Sequence, residues 1–195
     1  MCWSASVSLN TFIFSLFGVG FGLANGVIDV PRALFYLSFI SMQLVEYFAW
    51  KNMSDTEIPS KVGLFIIFLQ IPLMINMYYR DKPYVNLLYA MYFTFTAFIF
   101  FTTQVKYSMH KAPNGHLSWD WLNSFSKVHL VTFILFYVVL ALYRPDVNTS
   151  LFLIVSIAFS WYTYYSSGTF GSMWCWFANI LSLHWILQVF MKELC

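Results

Sequence analysis

One acid stands inside an otherwise apolar run. In SMQLVEYFAW, residues 41–50, Glu46 interrupts a stretch that begins at Ala33 and ends at Trp50. Placing a carboxyl in hydrocarbon costs about 2.5–3.5 kcal/mol even on permissive insertion scales, so a chain that keeps one there is expected to use it. Glu46 is therefore a candidate proton donor and acceptor, or a ligand. The plainer alternative is a protonated carboxyl, hydrogen-bonded to Gln43 one turn earlier or to a helix carbonyl, that locks its neighbours together. Cys2 and Cys175 admit three readings: a disulfide, thiolates for a soft or borderline metal, or inert packing. His116 and Asp120 are four apart and share one face if that stretch is helical. With the two sulfurs they make a donor set that zinc or another transition ion accepts, although the spacing is not that of a recognised metal motif. In Gln70-Ile71-Pro72 the proline has no N–H for the Phe68 carbonyl, which kinks a helix there and leaves a polar backbone atom beside Gln70. Further along, GSMWCWFANILSLHWILQ puts Cys175 and Asn179 on one helical face.

The elements that must position these groups follow from composition. With 60% hydrophobic, 22% aromatic and 9% charged residues in 195 positions, the chain lacks the charged surface of a soluble domain and is expected in a lipid bilayer. A net charge of +2 with no lysine or arginine cluster gives no nucleic-acid footprint. The start MCWSASVSLN lacks a basic n-region and a cleavage site, so the first apolar stretch is expected to remain as a spanning helix. A crossing needs about 20 apolar residues. Seven segments qualify, near Val7 to Ile28, Ala33 to Trp50, Val62 to Tyr79, Tyr84 to Gln104, Val128 to Tyr143, Leu151 to Tyr165 and Phe170 to Phe190, the fifth and sixth being shortest. Short breaks at DVPR, RDKP, RPDVN and SSG separate antiparallel neighbours. The expectation is an all-α polytopic integral membrane protein, residues 1–195 forming one compact seven-helix bundle. Residues 105–127, with PNGHLSWDWLNSF, mix tryptophans with polar groups and are expected to lie at the membrane interface.

Alternation of the spans then groups the donors. Glu46 precedes a return to one face of the membrane by about five residues, and Cys175 follows a departure from that same face by about five, so each lies one to two turns deep. Cys2, His116 and Asp120 belong to that end too. Orientation stays open, since Lys51, Lys61, Lys106, Lys111 and Lys127 are balanced by Arg32, Arg80, Lys82, Arg144 and Lys192. Gly18, Gly22 and Gly26 strip one face of the first helix, which favours packing within the chain over a homo-oligomer seam. The last helix has no lysine near its middle, which rejects a retinal-binding protein despite the helix number.

The opening MCWS, the acid in SMQLVEYFAW, the HLSWDWLN stretch and the late Trp-Cys pair together resemble a family of small polytopic membrane proteins, of uncharacterised function, that begin Met-Cys-Trp-Ser. The resemblance covers four short blocks and implies Cys2, Trp3, Glu46, His116, Trp119, Asp120, Trp174 and Cys175 as signature positions. Some members have histidine where this chain has Gln70, which removes any role needing a titratable group there. The family brings no activity. The first expectation is a metal- or thiol-dependent membrane-embedded enzyme or small-molecule binding protein, with Glu46, His116 and Asp120 catalytic and Cys2, His116, Asp120 and Cys175 around a metal. Gln43, Gln70, Trp119, Trp174 and Asn179 would line it. The rival is a proton or ion pathway gated by Glu46, continuing through Gln70, Asn76, Asn179 and His184. An accessory subunit without chemistry is the third.

Overall fold

A computed structural model describes residues 4–142 and 147–194. Among them are eight helices: α1 (Ala5–Ala24), α2 (Val30–Lys51), α3 (Glu57–Tyr79), α4 (Val85–Thr102), α5 (Asp120–Asn123), α6 (Lys127–Leu142), α7 (Val147–Tyr164) and α8 (Phe170–Leu194). Local chemistry sets the boundaries. Ser4 caps α1 by accepting from the Val7 N–H at 3.3 Å, and Asp29 caps α2 by accepting from the Arg32 N–H at 3.0 Å, with Pro31 in the first turn. α1, α2, α3, α4 and residues Phe170–Lys192 of α8 are each long and apolar enough to cross a membrane; α6 and Leu151–Tyr164 are shorter apolar helices.

α2 is the hub, packed on α1, α3 and α8. Its Phe35, Phe39 and Met42 share one buried cluster with Ile71, Met74 and Ile75 of α3 and Trp174 of α8. The outward faces are apolar as well: Phe17, Phe65, Phe93 and Phe101 are all more than half exposed. Helices that are apolar all round belong in an apolar medium, because soluble proteins rarely leave such large contiguous patches uncovered. On α1, Gly18 lets α8 approach so closely that an added Cβ would lie 2.7 Å from the Ser182 Cβ, and Gly22 faces Trp185. Gly26 lies beyond the helix, at φ +66°. Two of the three expected seam glycines therefore serve contacts within the chain.

The segment between α4 and α6 is not helical throughout. It forms a hairpin of β1 (Met109–Lys111) and β2 (Leu117–Trp119), antiparallel, with Met109 opposite Trp119, followed directly by the single turn α5. A lone hairpin is marginal in water, and this one is clamped by neighbouring connections. The Thr56 hydroxyl receives the Met109 N–H at 2.8 Å and donates back to its carbonyl at 3.3 Å. Ser118 donates to the Gly168 carbonyl at 3.2 Å, and Asn114 donates to Ser167 and Thr169 at 3.0 Å each. The α2–α3 connection, the hairpin and the α7–α8 turn thus meet at one end of the molecule.

Candidate functional site

Two indoles form the cover of this end. Trp119 and Trp121 stack at 5.0 Å, and both are buried. Trp119 lies flat against α8 because position 171 is glycine: a Cβ there would meet its ring at 2.7 Å. Trp121 reaches the α2–α3 seam in the same way, its ring 3.4 Å from where a Gly63 Cβ would stand, beside Met42 and Val45. Bare helix positions on both sides therefore admit a tryptophan pair as a wedge.

Glu46 follows Val45 and is fully buried, as is Gln43 on the same face of α2. Cys175, one turn beyond Gly171, is also fully buried and lies within electrostatic range of Glu46. From Cys175 the polar groups continue into the bundle. Tyr137 of α6 lies within range of Cys175 and of Tyr92 on α4, and its hydroxyl donates to Gln70 Oε1. Trp174 fixes the Tyr137 ring edge-on at 4.9 Å and Phe39 at 5.0 Å. The Tyr92 hydroxyl donates to the Phe68 carbonyl at 2.6 Å, the acceptor that Pro72 leaves without a helical partner. Thus α2, α8, α6, α3 and α4 each place a buried proton-bearing or polar group in this part of the bundle, and a hydrogen bond joins Tyr137 to Gln70.

Other expected members lie elsewhere. Residues 117–119 are extended, so His116 and Asp120 do not share a helical face; four extended residues span about 13 Å. His116 sits edge-on to Tyr164 at 5.8 Å, and burial pushes its imidazole below the usual histidine range. Asp120, between the two tryptophans in sequence, turns the opposite way: it pairs with His110 Nδ1 at 2.8 Å, accepts from the Ser108 hydroxyl at 2.6 Å and has Lys106 at 3.7 Å. That makes it the anchor of the hairpin. Asn179 accepts from the Ser15 hydroxyl and donates to the Trp176 carbonyl at 2.6 Å, joining α1 to α8, and His184 faces outward. Cys2 lies outside the described residues. Among the described residues, which do not include Cys2, no three His, Cys, Asp or Glu side chains converge as metal ligands would.

Sequence reasoning missed Tyr92, Tyr137, Gly63 and Gly171. For Tyr92 a signal exists: a carbonyl freed by Pro72 inside an apolar helix requires a donor from a neighbour. No family model, curated protein or solved structure matches the chain.

Proposed function

We propose that this chain is an integral membrane protein, a bundle of seven crossing helices, that conducts protons through a buried relay headed by Glu46. The observation that carries the reading is a series of buried side chains from Glu46 past Cys175 and Tyr137 to Gln70 and Tyr92, within which the Tyr137 hydroxyl donates to Gln70 Oε1. Each of these side chains can donate, and a carboxyl, a thiol and hydroxyls can also accept, which is what stepwise proton transfer needs. Trp121 packs near Val45, the residue before Glu46, so on this reading the hairpin that carries it is the segment that moves to admit protons.

The test is proton flux. The purified full chain in liposomes holding a pH-sensitive dye should acidify the lumen under an imposed gradient. Glu46→Gln should lower the rate about a hundredfold, the scale typical of removing a positioned proton-transfer group, and Tyr137→Phe should interrupt the same path. Equal flux with and without Glu46, or none from the unchanged chain, sinks the proposal.

A second reading has its own support. The indole N–H groups of Trp119 and Trp121 and the Ser172 hydroxyl are buried without a hydrogen bond among the described residues. Buried donors without acceptors are costly, which favours a small polar ligand held beneath the cover, in an enzyme or binding protein built on Glu46 and Cys175. Elemental analysis separates the metal form of this reading: near-stoichiometric metal lost on Cys175→Ala or His116→Ala supports it, and metal-free protein removes it.

A further inference from the structure

Three long apolar grooves run along the outside of the helices, and one of them has a charged mouth. The groove between α7 and α8, about 530 Å³, and that between α6 and α7, about 320 Å³, are lined without any ionisable side chain. The groove between α3 and α4, about 430 Å³, is walled by Leu64, Phe68, Leu69, Phe93 and Phe100 and opens at Lys61 and Tyr107. Its size falls among ligand clefts of about 300–1,000 Å³. From Lys61 to Pro72 it descends about 16 Å along α3, roughly half of the ~30 Å hydrocarbon core and so the depth of one leaflet. The Tyr92 hydroxyl in its wall is already committed to the Phe68 carbonyl, and the buried Thr96 hydroxyl is the other polar group below the mouth of a mostly apolar channel.

The mouth carries both signs of charge. Lys61 Nζ lies 2.5 Å from Glu57 Oε1 and 5.5 Å from the centre of the Tyr107 ring, and both charged side chains are more than half exposed. A phosphodiester is drawn to the ammonium, and a cationic headgroup amine to the carboxylate and the aromatic face. A net-negative headgroup would engage the Lys61 ammonium but bring no cation of its own to the Glu57 carboxylate, so it gains less from this paired mouth than a zwitterion does. We propose that this groove is a binding site for one zwitterionic glycerophospholipid, with an acyl chain between α3 and α4 and its headgroup on the Glu57–Lys61 pair. The proposal rests on the reading that these helices cross a bilayer.

The test uses the full chain in nanodiscs containing equal phosphocholine and phosphoglycerol lipids with identical acyl chains. Spin-labelled versions of each lipid report the motionally restricted fraction, and native mass spectrometry reports retained lipid. The phosphocholine lipid should be retained preferentially. Leu69→Trp, or Phe93→Trp from the opposite wall should the first variant misfold, should fill the groove and abolish retention, while Val155→Trp in the α7–α8 groove should not. Glu57→Gln leaves a positive mouth and should shift preference toward phosphoglycerol by about two- to fivefold, the range of an exposed ion pair. Equal retention of both lipids, or retention that survives Leu69→Trp and Phe93→Trp, overturns the site. A chain that stays out of the nanodisc overturns the membrane reading and the site together. A chain that enters and keeps no lipid overturns the site alone. Proton flux through Glu46 should be indifferent to Leu69→Trp.

Discussion

Pro72 cannot supply an N–H to the Phe68 carbonyl, and the Tyr92 hydroxyl does so from the next helix at 2.6 Å. Tyr92→Phe should leave that acceptor bare and destabilise the protein by about 1 kcal/mol, since interhelical hydrogen bonds in membranes average about 0.6 and reach about 1.7 kcal/mol. Pro72→Ala in the same chain restores an N–H and should recover most of the loss, read as a double-mutant cycle in denaturant unfolding. No recovery would mean that Tyr92 acts only by filling space. At His116 the effect is one of pH. Burial lowers the folded-state pKa of this imidazole, so below about pH 6.5, the unfolded value, the unfolded chain binds the proton more readily. Stability from this group is therefore complete above that pH and declines as acid takes the solution toward the folded pKa. His116→Gln should flatten the acid side of a Tm-against-pH curve, and an unchanged slope would rule the group out. Glu46 was legible because a lone acid in an apolar run is conspicuous. Tyr92 and Tyr137 were not, because tyrosine in a span reads as bulk and its hydroxyl has no partner until helices are assembled.

At the scale of elements, the hairpin and α5 form one unit, held by the Asp120 cluster on one side and the stacked tryptophan pair on the other. Gly171→Val should push Trp119 off α8, since the added Cβ would stand within 2.7 Å of its ring. The expected result is that Glu46 becomes reactive toward a water-soluble carbodiimide. Gly20→Val, where an added Cβ meets nothing within 4 Å, should leave it protected. Labelling that is the same in both would mean that the indoles do not guard Glu46. Helix breaks were readable from Pro, Gly and Asp in the short connections, and the fifth and sixth spans were already the shortest. The hairpin was hidden for a physical reason. Strands of three residues are too short to establish alternation, and Met109–Lys111 becomes a strand only through Thr56 and the facing Leu117–Trp119. The His116–Asp120 pairing was lost with it, since the same interval is one turn in a helix and about 13 Å in a strand.

For the whole molecule, helix lengths make a demand on the bilayer that the proposed membrane placement implies. α8, with 25 residues, is about 38 Å long and α3, with 23, about 35 Å, whereas α6, with 16, is about 24 Å. Long helices fit a ~30 Å core by tilting, but a short one cannot stretch. If α6 crosses, as the seven-span reading holds, the lipid must thin beside it, with Lys127 at its start extending its ammonium toward the headgroups. Exposed Val128, Leu135, Val139 and Leu142 along α6 would then put that strain at the lipid-facing surface. Stability should then be greatest in short-chain bilayers and fall as chains lengthen. A series of phosphocholine lipids with 14- to 22-carbon monounsaturated chains would read this, with unfolding of the reconstituted protein followed by tryptophan fluorescence. A mismatch cost of a fraction of a kcal/mol per Å predicts a loss of about 1–3 kcal/mol across several ångströms of thickening. Stability that rises steadily with thickness would mean that α6 does not cross, and its partner α7 would then have to be placed on the surface as well.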